Sequence, residues 1–294
     1  MVKIDRRVYG AAIGDIIGSS YEHKRDRIKT TRFDLFTERS QFTDDTVLTA
    51  AIAQWLMESP EHDETLLRKN LLEMGLRYFD PASFTFGPGF TSWLLQEAGT
   101  VVLGRPHVIG QSMGNGSAMR VGPVGLYASS LQEAVTLATT TACITHNQPE
   151  GIRGAQAIAG CVYLAKTGHG KSTIKDYMAD LGYDMNRTIE EIRPTYKFQG
   201  NCENSVSEAV IAYLEGDTFE DVIRLVVSLG GDADTQGAMA CSIAAATPGM
   251  EIPDAIFQKS VGYLDDHIKH IMERFSLFMV NRDDSTTENC RPKE

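Results

Sequence analysis

The stretch Gly230-Gly231-Asp232-Ala233-Asp234-Thr235 lies between two helical patterns, and a counterpart, Thr43-Asp44-Asp45-Thr46, opens another helical pattern far upstream. Each sets two acids and a threonine where a helix begins. Such oxygens have two uses. They can take up the free backbone N–H groups of a helix start, where the dipole favours negative charge. Gathered in one place, they can instead supply the hard oxygen donors preferred by Mg²⁺ or Mn²⁺. Either stretch alone is compatible with simple capping. Two Asp-rich, Thr-flanked helix starts in one chain weigh toward one site, where four carboxylates would need cations or would raise their own pKa values. Neither stretch holds Cys or His, so zinc is the less suitable ion.

Outward from these stretches the pattern is helical throughout. Val47, Leu48, Ala51, Ile52, Trp55 and Leu56 recur on one face, and Ser59-Pro60 closes that helix. The spacing predicts further helices over about 5–21, 64–79, 90–98, 131–145, 149–166, 205–215 and 219–229, and one long helix from after Pro253 to about Met279. Gly14 and Gly18, one turn apart, form a notch where another backbone can approach closely, although such notches usually serve packing. Gly230-Gly231 supply a helix C-cap and a reversal before Asp232. The small residues of 238–246 belong in the core. Segments 81–89 and 104–114 read as irregular, and 171–203 mixes a short helix with a loop. From Asn281 onward the chain reads as a polar, disordered tail. With no period-2 alternation, the expected fold is all-α: a compact, single-domain orthogonal bundle of a dozen or so helices over 1–280, with 281–294 as the tail.

Composition narrows the function. The 294 residues are 42% hydrophobic and carry a formal net charge of −11, which argues against a general nucleic-acid binder needing a basic face. Five scattered cysteines without a C-x-x-C pair read as reduced thiols, hence a cytoplasmic chain, and neither a secretory signal nor a membrane span is evident. Three features remain two-sided. Glu22 reads by itself as a solvated charge at a helix end. Gly114-Asn115-Gly116-Ser117-Ala118-Met119-Arg120 is either an ordinary turn and cap or a turn whose amides and helix start suit a diphosphate. His146 either complements a helix C-terminus or holds a ligand at a helix junction.

Together, Gly10-Ala11-Ala12-Ile13-Gly14-Asp15-Ile16-Ile17-Gly18, Tyr21-Glu22, Phe42-Thr43-Asp44-Asp45-Thr46, Gly114–Arg120, Thr145-His146 with Gly154-Ala155, and Gly230–Thr235 follow one another as in the ADP-ribosylglycohydrolases. The chain resembles that family over nearly its whole length. The resemblance implies an all-helical fold with a two-metal centre of Mg²⁺ or Mn²⁺, held by Thr43, Asp44 and Asp45 from one side and Asp232, Asp234 and Thr235 from the other. It implies catalytic roles for Glu22, Asp44 and Asp232, which reverses the solvated reading of Glu22. It further implies that Ser112, Gly114, Asn115, Gly116, Ser117 and His146 hold the substrate. Met113 stands where members often carry an aromatic residue, a departure on the adenine side.

The implied reaction releases free ADP-ribose from an ADP-ribosylated protein side chain, with arginine favoured, or from a small conjugate. Carboxylates tied to metal are poor bases, which favours Glu22 for proton transfer. A metal-dependent phosphohydrolase or nucleotide pyrophosphatase, and a non-catalytic ADP-ribose-binding relative, are the alternatives.

Overall fold

The computed structural model describes residues 4–23, 25, 27–80, 86–99 and 110–289, with side chains to residue 282. Among the described residues the fold is helical, with fifteen α-helices: α1 (Gly10–Gly18), α2 (Asp44–Glu58), α3 (Glu64–Tyr78), α4 (Pro88–Glu97), α5 (Gly116–Met119), α6 (Gly122–Tyr127), α7 (Leu131–Cys143), α8 (Pro149–Lys166), α9 (Lys171–Asp180), α10 (Ile189–Ile192), α11 (Val206–Glu215), α12 (Phe219–Val227), α13 (Ala233–Ala246), α14 (Asp254–Val261) and α15 (Asp266–Asn289). Extended pairing among the described residues is confined to two isolated bridges, Gln111 with His146 and Gly114 with Asn201.

Local chemistry explains where several helices start. Thr43 is the N-cap of α2, Pro149 occupies the first turn of α8, and Thr218 with Asp221 closes a reciprocal capping box on α12. Three expectations change. The segment 5–21 is a relay of a 3₁₀ turn at Arg6–Tyr9, α1, and a second 3₁₀ turn at Ser19–Tyr21. The long helix expected after Pro253 is two helices, because Gly262 caps α14 and the Asp265 carboxylate accepts the Ile268 N–H at 2.8 Å to start α15. That last helix continues to Asn289, past the point where the polar tail was expected to begin. The irregular stretches expected over 81–89 and 104–114 lie outside the described residues up to 85 and 109.

All of α13 is buried, and α1, α2, α5, α8, α11 and α12 pack around it. Its closest neighbour is α1. A Cβ on Gly14 would lie 2.1 Å from the Gly237 carbonyl oxygen, one on Gly18 would lie 2.2 Å from that of Ala233, and one on Gly10 would lie 2.5 Å from that of Cys241. Every fourth residue of α1 thus meets every fourth residue of α13, and the small side chains let the two backbones touch. The notch read from Gly14 and Gly18 is real and one turn longer than expected. This contact also sets Asp15 against the start of α13. Gly14→Ala should therefore destabilise the fold by about 3 kcal/mol through overpacking against backbone that cannot yield. Urea unfolding would measure this; an unchanged midpoint would mean that the helices can separate at little cost.

Candidate metal centre and active site

Three helix starts converge on one cavity of about 490 Å³. The first is α2. Asp15, fully buried on α1, accepts the backbone N–H groups of Thr43 (2.9 Å) and Thr46 (3.1 Å) and both their hydroxyls (2.9 and 2.5 Å). The first turn of α2 is therefore pinned to α1, which leaves Asp44 and Asp45 to face the cavity. The second start is α13. The left-handed Gly230 (φ 60°) makes the reversal that presents Asp232, Asp234 and Thr235. The third is α5, whose preceding turn carries Asn115, and the Asn115 amide donates to Asp232 Oδ2 at 2.7 Å.

The carboxylates form two overlapping groups. One oxygen each from Asp15, Asp45 and Asp234 lie within 4.8 Å of one another, as do those from Glu22, Asp232 and Asp234. Asp234 belongs to both. The Thr235 hydroxyl donates to Asp45 Oδ2 (3.2 Å) and so ties the two helix starts together. Asp45 Oδ1 is buried without a partner among the described residues. An all-oxygen donor set, a shared central carboxylate and an orphaned buried oxygen together fit divalent cations.

The electrostatics point the same way. Burial raises the Asp15 carboxyl to about 6, against the hydrogen bonds from Thr43 and Thr46 that lower it. Burial, then the charges of Asp15 and Asp232, push Asp44 up to about 8. Burial lifts Asp232 to about 6 despite the Asn115 hydrogen bond. It also holds Asp45 and Asp234 well above the usual carboxylate range, with neighbouring acids adding to the effect. The folded metal-free chain therefore binds more protons than the unfolded one between about pH 4 and pH 8, so its stability falls as pH rises through that window. Metal-free protein should melt lower at pH 8 than at pH 5, and added Mn²⁺ should restore the loss at pH 8. Thermal melts with and without chelator measure both effects; melting that is flat with pH in the metal-free protein would contradict the crowding.

The Gly114–Gly116 turn also lines the cavity. Two of its amides are engaged within the protein: Gly114 N–H donates to Ser112 Oγ (3.0 Å) and Asn115 N–H to the Gly200 carbonyl (3.1 Å). The Gly116 and Ser117 amides are left unpartnered among the described residues. His146 is buried beside this turn and lines the cavity. Met113 and Phe198, both exposed, are on the rim, and the Arg27 guanidinium lies 4.7 Å from the Phe198 ring centre.

Of the candidate residues, Glu22, Asp44, Asp45, Asp232, Asp234, Thr235, Ser112, Gly114, Asn115, Gly116 and His146 all line the cavity. Asp44 belongs to neither carboxylate group. Two candidates face elsewhere. The Ser117 hydroxyl is buried and donates to the Gly151 carbonyl at 2.7 Å, and Thr43 is outside the cavity lining, with its hydroxyl on Asp15. Sequence reasoning missed Asp15 as part of the acid cluster. Its one signal was a lone acid inside the otherwise apolar run GAAIGDIIG. It also missed Phe198, which a separate loop brings to the rim through the Gly114–Asn201 bridge, a contact that carries no local signal.

Comparison with known proteins points to one family. The model of the ADP-ribosylglycohydrolase family matches residues 4–285. The chain is 28% identical to ADP-ribosylhydrolase ARH3 from Bos taurus, over 86% of this chain and 87% of that protein. It is 24% identical to the ADP-ribosylarginine hydrolase Tri1 from Pseudomonas putida, over 82% of this chain and 69% of that one. A solved structure described as an ADP-ribosylglycohydrolase-related protein complex superposes with a TM-score of 0.68 at 24% identity, covering 94% of this chain and 96% of that one, and it shares the fold.

Proposed function

The chain belongs to the ADP-ribosylglycohydrolase family and is a glycohydrolase, and from that premise we propose that it uses two divalent ions, Mg²⁺ or Mn²⁺, to cleave ADP-ribose from modified protein side chains, with arginine favoured. The observation that carries this reading is Asp234, common to two carboxylate groups in a cavity that the Gly114–Gly116 turn and His146 also line. Asp15, Asp45 and Asp234 would hold one ion and Asp232 and Asp234 the other, with Asp44 and Thr235 at their edge and Glu22 beside the second ion without being tied to it. Arginine as acceptor is supported by the Pseudomonas putida relative's named activity and by the acidic edge at Glu22, which suits a guanidinium. The cytoplasm is supported by the free thiols of Cys143, Cys161, Cys202 and Cys241. No helix among the described residues is long and apolar enough to cross a membrane.

The chemistry that a pair of divalent ions supplies in such a site is charge neutralisation, orientation of oxygen ligands and activation of water near neutral pH. The protein's own residues do the rest. The turn and His146 grip the nucleotide portion and hold the distal ribose against the acid wall. Glu22 has the longest of these acidic side chains and, at 31% exposure, is the carboxylate that reaches the open edge. It accepts the proton of the attacking water as the glycosidic bond breaks with oxocarbenium character, and it returns that proton toward the leaving group. Asn115 holds Asp232 in place by its 2.7 Å hydrogen bond.

The test is free ADP-ribose released from ADP-ribosyl-arginine and ADP-ribosyl-serine peptides with Mg²⁺, with Mn²⁺ and after chelation. Ion-dependent release from the arginine peptide is expected. Release of AMP or phosphate instead would move the activity to phosphate cleavage, and release from the serine peptide alone would overturn the acceptor.

A further inference from the structure

His146 sits at the end of a short hydrogen-bond chain whose direction can be read. Arg120, at the C-cap of α5, is completely buried, and its Nη2 donates to the Thr141 carbonyl at 2.8 Å and to Thr145 Oγ1 at 2.9 Å. Thr145 Oγ1 lies 2.7 Å from His146 Nδ1. A guanidinium is donor-only, so at its contact with Arg120 the Thr145 oxygen accepts. The Thr145 hydroxyl has a single proton, and its one remaining partner among the described residues is His146 Nδ1. Donation to Nδ1 gives both the Thr145 hydroxyl and Nδ1 a partner; the reverse would leave a buried hydroxyl proton without an acceptor. The ring proton then belongs on Nε2.

Nε2 faces the cavity side. It lies 3.2 Å from where a Cβ on Gly116 would stand and 3.5 Å from one on Gly114, and it has no protein partner among the described residues. We propose that Arg120 and Thr145 are positioning residues that hold His146 as the neutral Nε2–H tautomer, so that a fixed N–H donor faces the cavity at the Gly114–Gly116 turn for an oxygen of the bound nucleotide. The ligand half of this rests on the functional reading above; the tautomer does not. Burial and the neighbouring Arg120 charge also keep the imidazole from protonating. Arg120, though lowered to about 10 by burial, remains a cation at neutral pH. The arrangement also explains why the turn needs glycine at 116: a side chain there would press on Nε2, the atom that does the donating.

The test is a long-range ¹H–¹⁵N spectrum of His146 in the whole chain at neutral pH, without ligand, for wild type, Thr145→Ser and Thr145→Val, paired with ADP-ribose titration. Wild type and Thr145→Ser should show the Nε2–H pattern. Thr145→Val should show Nδ1–H or a mixture and bind ADP-ribose about tenfold more weakly. A wild-type ring protonated at Nδ1, or at both nitrogens, overturns the proposal without reference to any variant. So does a Thr145→Val chain with an unchanged spectrum, or one whose spectrum changes while its affinity does not. Wild type that shows the Nε2–H pattern yet binds no ADP-ribose overturns the functional reading and the ligand half with it, and upholds the tautomer.

Discussion

Asp234→Ala should abolish turnover and weaken Mn²⁺ binding by more than about 100-fold, beyond the range seen when only an outer partner of a metal ligand is removed. The reason is position: Asp234 is the carboxylate common to both acid groups, so its loss opens both together. Loss of activity by itself would not separate a damaged site from a damaged fold. The electrostatics do separate them. Burial first, and then the charges of Glu22, Asp232, Asp45 and Asp15, hold the Asp234 carboxyl well above the usual range, so in the metal-free protein this carboxyl is costly to ionise. The metal-free variant should therefore melt no lower than metal-free wild type at pH 8, while the rise in melting temperature on adding Mn²⁺ disappears. For wild type that rise corresponds to about 2.7 kcal/mol at a free ion concentration 100 times the dissociation constant. Calorimetric titration and thermal melts on the same samples check both parts. A variant that still gains stability from Mn²⁺ would move the centre away from Asp234.

Glu22→Gln should reduce turnover by about 10²- to 10⁴-fold, the usual contribution of a positioned general base or acid. Metal-induced stabilisation and ADP-ribose affinity should stay near wild type. Gln keeps the length and one oxygen of the side chain but cannot take a proton. Glu22 holds its place partly by its backbone, since its carbonyl accepts the Arg27 Nε–H at 2.8 Å, and substitution leaves that bond intact. Asp45, Asp232 and Asp234 are the weaker candidates for proton transfer, because each is buried in the acid cluster whereas Glu22 is partly exposed. Single-turnover assays at saturating substrate separate the chemical step from binding. Turnover near wild type in Glu22→Gln would return the proton transfer to one of the aspartates; a loss of Mn²⁺ stabilisation would make Glu22 chiefly a ligand.

The two tests bear on different parts of the site. Asp234 is rigid, central and buried on a helix whose every residue is in the core, so its removal acts on the ions. Glu22 follows the second 3₁₀ turn and lies at the cavity's open edge, so its removal acts on the reaction.

Much of this was legible in the linear chain because the signals are local. Helix starts at Thr43 and Pro149 follow from capping and proline chemistry within one turn, and the apolar face of 47–56 follows from a 3.6-residue period. The order of the acid and glycine stretches marked the family, and with it an all-helical fold. Local pattern also misled where two local signals competed: the apolar period runs through Gly262 and Asp265, yet a C-cap and an N-cap placed back to back break the helix there. What sequence alone could not decide is what meets across long separations. That Gly10, Gly14 and Gly18 lie on Cys241, Gly237 and Ala233 respectively, that Asp15 caps a helix beginning 29 residues later, and that Arg120 reaches Thr145 are matters of packing. Residue types in sequence state which oxygens and charges are present. Only the tertiary contacts set their distances, and distance decides whether an aspartate is a cap, a ligand or both, and on which nitrogen a histidine carries its proton.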